Sequence, residues 1–187
     1  AITETYYFDD SPMLDSVAQN AINYVHRARN PYGAWRYESP PNGDQDSSVT
    51  GWMVFATKAA EDGGLKIDSA SYEGAALWLD EATETATGRV GYHEKGTASS
   101  RVPGDNDHFP TDRTECMTAV GLHSRILIGQ DPETDPIMVK HVDLLLKSLP
   151  RRDSDGLSND IGYWYHGTHA MFRMEGQYGK KYRENWN

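Results

Sequence analysis

Helical periodicity constrains this chain more than any other feature of its sequence. Apolar residues recur at three- and four-residue steps in six segments, and the stretches between them show no convincing strand alternation. In the first segment, "SPMLDSVAQNAINYVHRARN", the apolar stripe consists of Leu14, Val17, Ala18, Ala21, Ile22 and Val25. We therefore predict an all-α fold with six main helices.

Capping residues and glycines place the boundaries of these helices. Ser11 followed by Pro12 marks the start of the first helix, and Gly63 follows the end of the second, which begins near Ser48. The starts of the next three helices are expected at Asp68, at a capping box formed by Asp112 and Glu115, and at Asp135 with Pro136; the sixth contains Tyr163 and reaches Gly176.

Length and charge exclude several classes of protein. A chain of 187 residues, 37% of them apolar, can build one sizeable core, so we expect a single domain over residues 1–187. The formal net charge of −10 repels phosphate backbones, so no nucleic-acid partner is expected. No apolar run approaches the roughly 20 residues that cross a bilayer. The single cysteine, Cys116, has no intrachain partner for a disulfide.

A glycine- and aromatic-rich segment precedes several of the helices. "YGAWRY" comes before "SSVTGWMVFA", "GRVGY" comes before "TECMTAVGL", and "IGYWYHGTHAM" holds both parts nearly fused. Thr50, Thr118 and Thr168 occupy related positions in the three copies. We expect Gly33 to allow a sharp turn, and Ser48 or Thr50 to offer a side-chain oxygen near the next helix start.

These segments resemble the prenyltransferase and squalene-oxidase repeat proteins. The resemblance covers about residues 15–187 and rests on "GAWRYESPPNGDQDSSVTGWMVFATKAAEDGGL", "TECMTAVGLHSRILIG" and "YWYHGTHAMFRMEG". It implies an α/α toroid with helices in inner and outer layers, here a partial ring of about three helical hairpins, and a cleft at the N-termini of the inner helices. It also implies relationship to large, often extracytoplasmic bacterial proteins, in which this segment is the C-terminal part.

A partial ring leaves the helices at its two ends without neighbours. Large exposed apolar surfaces of this kind mark contacts with other molecules. We therefore expect another protein subunit, or a second copy of the chain, to cover the open ends. A noncatalytic binding or scaffold module within a larger protein or assembly is the preferred hypothesis for function.

Aromatic residues follow or lie within the repeated segments. We interpret them as packing between adjacent hairpins, with ligand stacking in a cleft as the alternative. The residues concerned are Trp35, Tyr37, Trp52, Tyr92, Trp164 and Tyr165.

The same resemblance suggests two kinds of enzyme activity, cyclisation started by an acid and prenyl transfer that depends on zinc. Squalene-type cyclases protonate an alkene with a D-x-D-D motif, which this sequence lacks, so cyclase activity is not expected. Zinc-dependent prenyl transfer requires a thiolate, a carboxylate and a histidine. Cys116, His166 and Asp112 are the candidate ligands, with Glu115 as a substitute carboxylate, although Thr114 stands where the family has its aspartate.

Two further possibilities come from polar residues. "DSDGLSND" offers calcium ligands at Asp153, Asp155, Asn159 and Asp160, although a solvated turn fits the same residues. Asp44 and Asp46 offer a second pair of carboxylates, which we interpret as bonding to backbone amides in an Asx turn rather than to calcium. A lyase-like, glycan-active enzyme would use side chains in the cleft, with Arg36, Tyr37, Tyr163, His166 and His169 as candidates. No cofactor is predicted; zinc and calcium remain alternatives.

Overall fold

The fold is predominantly helical, as the periodicity predicts. The computed structural model describes residues 1–9, 11–31, 33–97, 109–111, 113–152, 154, 159–178 and 186. In these ranges the helices are α1 (Ile2–Phe8), α2 (Pro12–Arg27), α3 (Ser47–Asp62), α4 (Ala70–Ala82), α5 (Cys116–Leu127), α6 (Ile137–Lys147) and α7 (Ile161–Tyr178). The described strands, β1 (Thr83–Glu84) and β2 (Arg89–Val90), form one small antiparallel sheet in which Thr83 lies opposite Val90. The all-α prediction is confirmed.

Contacts along the chain gather into two compact units, Ala1–Asp80 and Glu81–Asn187. We call them unit 1 and unit 2 and describe each by itself. The two-layered partial ring involves the whole chain and stays a prediction, as does the single domain. Within the described ranges, no helix combines the length and apolar character required to cross a bilayer.

In unit 1, three helices pack against one another, and one of them was not predicted from the sequence. The sequence did not predict α1, which contacts both α2 and α3. Helix α2 begins after Ser11 with Pro12 in its first turn, as expected, although the Ser11 side chain makes no capping bond. Helix α3 is capped by Asp46 rather than by Ser48 or Thr50, because Asp46 Oδ1 accepts a hydrogen bond of 2.7 Å from the Val49 amide.

Two glycines of unit 1 meet where the chain leaves α2. A Cβ atom at Gly74, in α4, would collide with the carbonyl oxygen of Gly33 and would lie 2.9 Å from Nη1 of Arg29. Gly33 itself does not adopt a left-handed conformation. The chain does turn at Gly33, whose amide donates a hydrogen bond of 3.1 Å to the Asn30 carbonyl, but glycine is required there because a Cβ atom would collide with the Gln45 side chain.

In unit 2, α5 is the central helix and is buried on all its faces. Each of its residues from Cys116 to Leu127 is buried, and it contacts α6, α7 and β2. The helix begins at Cys116, after Glu115, so the predicted start at a capping box is wrong. Asp112 lies outside the described residues. The predicted apolar stripe underestimated how much of this helix is buried, since polar side chains such as His123 and Arg125 are buried as well.

The last helix and the chain end pack together in unit 2. Helix α7 begins after Asp160, whose Oδ1 accepts a hydrogen bond of 2.9 Å from the Tyr163 amide. Trp186 packs edge-on against the Tyr163 ring, and a Cβ atom at Gly167 would lie 2.6 Å from the Trp186 ring. The glycine in "YHGTH" is thus explained by a large side chain lying on the helix.

Candidate functional site

Trp35 anchors the segment that joins α2 to α3. Its indole nitrogen donates a hydrogen bond of 2.8 Å to the Val25 carbonyl near the end of α2. Its carbonyl accepts from the Asp46 amide at 3.0 Å, and its amide donates to Oγ1 of Thr50 at 3.4 Å. Only 1% of the residue is exposed. Trp35 therefore fixes the segment to both helices, as expected of a packing aromatic.

Arg36 is held by carboxylates at the rim of the same segment. Its Nε lies 2.8 Å from Oδ2 of Asp44, and its Nη1 lies 3.5 Å from Oδ2 of the buried Asp46. The guanidinium also lies 5.5 Å from the centre of the Tyr37 ring. Asp44 and Asp46 thus take part in ion pairs, and Asp46 also caps α3.

An aromatic groove lies between α2 and α3 beside this segment. Its volume is about 670 Å³. Helix α2 contributes Ala21, Tyr24 and Val25; the connecting segment contributes Ala28, Trp35, Arg36, Tyr37, Glu38 and Ser39; α3 contributes Val49, Trp52 and Met53. Tyr24, Tyr37 and Trp52 are 55%, 67% and 49% exposed. Tyr37 and Trp52, expected to pack between hairpins, instead present their rings to solvent.

Unit 2 contains a second version of the connection in unit 1. The Val90 amide donates to Oγ1 of Thr118 at 3.2 Å, as the Trp35 amide does to Thr50. Arg89 pairs with Glu115 at the N-cap of α5, as Arg36 does with Asp46 at the N-cap of α3. The first two copies of the repeated segment therefore share a hydrogen-bonding pattern.

The third copy departs from this pattern. Thr168 is exposed and lies in the interior of α7, whereas Thr118 and Thr50 lie in the first turns of their helices. Its Oγ1 accepts a hydrogen bond of 3.2 Å from the indole nitrogen of Trp186. The equivalence of Thr168 with the other two threonines is wrong, because this helix begins seven residues before Thr168.

Three histidines meet between α5 and α7, and we call them the histidine cluster: His123, His166 and His169. The Nδ1 atoms of His123 and His166 are 3.3 Å apart, so one ring donates and the other accepts. His169 stacks on His123 with ring centres 5.3 Å apart. Burial lowers the pKa of His123 well below its usual value, and His166, His169 and Arg173 lower it further.

The remaining lyase candidate of unit 2 has a structural role. The Tyr163 hydroxyl donates to the carbonyls of Leu145 and Ser148 at 3.3 and 2.7 Å, and the residue is 1% exposed. Burial, together with nearby acidic groups, raises the pKa of this phenol. Tyr163 therefore stays protonated and joins α7 to the end of α6.

The metal candidates are not brought together among the described residues. Within those ranges, no set of three or more histidine, cysteine, aspartate or glutamate residues is arranged to hold a metal ion. Cys116 is buried, and Glu115 is occupied by Arg89. Of the calcium candidates, Asp160 caps α7 and accepts from Thr114, and Asn159 precedes it; Asp153 and Asp155, like Asp112, lie outside the described residues.

The other aromatic candidates belong to unit 2. Tyr92 is 3% exposed and packs inside the unit. Trp164 and Tyr165 are half-buried, and the Tyr165 ring lies 4.6 Å from that of His169, at the edge of the histidine cluster.

Sequence reasoning missed three residues of these sites, and each had a signal. Tyr24 follows Val17 and Ala21 at helical spacing, on a face that was expected to be buried. His123 lies three residues after Val120, on the apolar stripe of α5. Glu38 follows the aromatic corner directly, and its charge beside exposed rings is visible in the sequence.

Comparison of this chain with known protein families, with curated proteins and with solved structures found no match. The relationship to the prenyltransferase-like repeat proteins therefore remains a prediction that rests on the sequence motifs.

Proposed function

We propose that this protein is a noncatalytic binding module, and that the aromatic groove of unit 1 holds an apolar ligand. The observation that carries the proposal is the exposure of three large aromatic side chains, Tyr24, Tyr37 and Trp52, around one cavity of about 670 Å³. A cavity of this size matches the volumes of ligand sites, which lie between about 300 and 1,000 Å³.

The energetics favour occupation of the groove. Apolar surface removed from water contributes about 25 cal/mol per Å², so covering even part of these rings stabilises a complex measurably. The groove is also lined by aliphatic side chains, including Val25 and Met53. Trp35, which lines the groove as well, is fixed at both its backbone and its indole nitrogen, and a lining that is already ordered lowers the entropic cost of binding.

The polar candidates for catalysis support this proposal over the enzymatic alternatives. Arg36 is paired with Asp44 and Asp46, and Tyr163 donates to two carbonyls. His166 is hydrogen-bonded to His123, whose lowered pKa keeps that ring neutral. Acid–base chemistry requires a group that can exchange a proton with substrate, and these groups serve internal contacts. The place of the module in a larger protein or assembly rests on the family resemblance.

Binding of N-phenyl-1-naphthylamine, an uncharged apolar fluorophore, tests the proposal. We expect its fluorescence to rise on addition of the protein, and the Trp52→Ala variant to weaken binding by about tenfold, which corresponds to about 1.4 kcal/mol. Leu77→Ala is the matched control, because Leu77 is 60% exposed in the same unit but lines a different cavity. Equal affinity of wild type and the Trp52→Ala variant, or no binding at all, would contradict the proposal.

A further inference from the structure

We propose that the aromatic groove selects organic cations, and specifically ligands that carry a quaternary ammonium group. This inference rests on the proposed function, since it names the class of ligand for the same site. Three features of the groove support it: the arrangement of the rings, the charge of the rim and the chemistry already present on Tyr37.

The rings provide the first part of the argument. The face of an aromatic ring carries partial negative charge and attracts a cation within about 6 Å of its centre. Tyr24, Tyr37 and Trp52 come from α2, the connecting segment and α3, so they border the groove from three different elements. A trimethylammonium group is large, apolar on its surface and weakly hydrated, and it therefore loses little when it enters such a site.

The charge of the rim provides the second part. Arg36 is the only basic residue among the described residues that line the groove. Its charge is opposed by Asp44 and Asp46, which pair with it, and Glu38 adds a further carboxylate to the lining. Among the lining residues the charges of Arg36 and Glu38 balance. Asp44 and Asp46 lie outside the lining but pair with Arg36, so these four groups together carry one positive and three negative formal charges. An anionic ligand is disfavoured there, and a cationic one is attracted.

The position of Arg36 beside the Tyr37 ring is the third feature of the groove. Its guanidinium lies 5.5 Å from the centre of the Tyr37 ring, so this ring already contacts a cation of the protein itself. Because Arg36 is tied to Asp44 at 2.8 Å, its charge is directed toward the carboxylates. Tyr24 and Trp52, which are 55% and 49% exposed, are therefore the rings at which we expect a ligand cation to bind.

A pair of isosteric probes isolates the effect of charge. Choline and 3,3-dimethylbutan-1-ol have nearly the same shape, but the first carries a quaternary nitrogen where the second carries carbon. We expect choline to displace N-phenyl-1-naphthylamine from the wild-type protein at a concentration about fivefold lower than the alcohol requires, the range expected for one partly exposed cation–π contact.

Two variants test the assignment to this groove. Glu38→Gln should reduce the preference for choline about twofold while leaving the affinity for the alcohol unchanged, because it removes charge and keeps shape. Glu73→Gln is the control, since Glu73 is an exposed glutamate of the same unit that lines the other cavity. Trp52→Ala should weaken both probes.

The outcomes separate the two proposals. If the fluorophore binds in a Trp52-dependent way but the alcohol competes as well as choline does, the cation selectivity is overturned and the groove remains a binding site. If choline fails to displace the bound fluorophore, the inference is likewise overturned. If the fluorophore does not bind at all, the proposed function fails and the cation selectivity fails with it.

Discussion

Arg89 binds the carboxylate of Glu115 through two nitrogen atoms. Its Nη2 lies 2.7 Å from Oε1, and its Nε lies 3.0 Å from the same oxygen and 3.3 Å from Oε2. Thr118 donates to Oε2 at 2.9 Å. The Glu115 side chain is 2% exposed. A buried carboxylate at the first turn of α5 is thus neutralised by a residue of β2, and the hairpin is tied to the central helix of unit 2.

Removal of the arginine should therefore be costly. We expect Arg89→Met to lower the free energy of unfolding by about 3 kcal/mol, because it leaves a buried charge with reduced compensation. The measurement is urea denaturation followed by circular dichroism. The double variant Arg89→Met, Glu115→Gln should recover part of the loss, since the charge is removed as well. A double variant less stable than the single one would contradict this account.

Alanine at Gly74 should destabilise unit 1 through a steric clash. The added Cβ atom would collide with the Gly33 carbonyl oxygen, a backbone atom that cannot rotate away, so we expect a loss of about 2 kcal/mol or more. Gly176→Ala is the control. No atom of the described residues lies within 4 Å of a Cβ atom there, and its helical position in α7 predicts a gain of about 0.5–1 kcal/mol. Thermal unfolding of the two variants measures both; equal effects would exclude the close-approach explanation.

Acid should destabilise the protein through His141. Nδ1 of this buried ring donates a hydrogen bond of 2.6 Å to the Gly88 carbonyl, and burial, together with the nearby Arg125, lowers its pKa from 6.5 to about 3. In the unfolded state His141 is therefore protonated below about pH 6.5, whereas in the folded state it stays neutral down to about pH 3. Stability rises with pH across this window and is lost as pH falls through it.

The magnitude for His141 follows from that window. Between pH 7.5 and 4.5 we expect this residue alone to lower the free energy of unfolding by about 3 kcal/mol. His123, whose pKa is also lowered by burial and by its histidine neighbours, acts in the same direction. His141→Asn keeps a donor toward Gly88 but does not titrate, so its stability should depend less on pH. Parallel pH profiles for the variant and wild type would show that His141 is not responsible.

Thr50 and Thr118 should both contribute to stability, and Thr118 more than Thr50. Thr50→Val and Thr118→Val each remove the acceptor for a backbone amide, of Trp35 and of Val90 respectively, which should cost about 1–2 kcal/mol. Thr118→Val also removes a donor to the buried Glu115 carboxylate, so its cost should be larger by about 1 kcal/mol. Thr168→Val removes an exposed acceptor for Trp186 and should cost about 0.5 kcal/mol. Chemical denaturation of the three variants checks the order. A Thr168→Val effect as large as the others would contradict it.

Local signals in the sequence were sufficient for six of the seven described helices, although not for α1 or for the start of α5. Periodicity predicted six of the described helices, and proline and glycine marked the start of α2 and the end of α3. These features act over a few residues, so they can be recognised without knowledge of the fold. The recurrence of Thr50 and Thr118 was also visible, because the same hydrogen bond is needed wherever this type of connection occurs.

What the sequence by itself determined was the helical fold, most helix boundaries and the identity of Trp35 as a buried anchor. Only the tertiary structure decided that Tyr37 and Trp52 face solvent, that Gly33 and Gly74 meet, and that His123 lies inside a histidine cluster. The physical reason is distance along the chain. Exposure of a ring and contact between helices depend on residues far away in sequence, which periodicity and capping, as local properties, do not report.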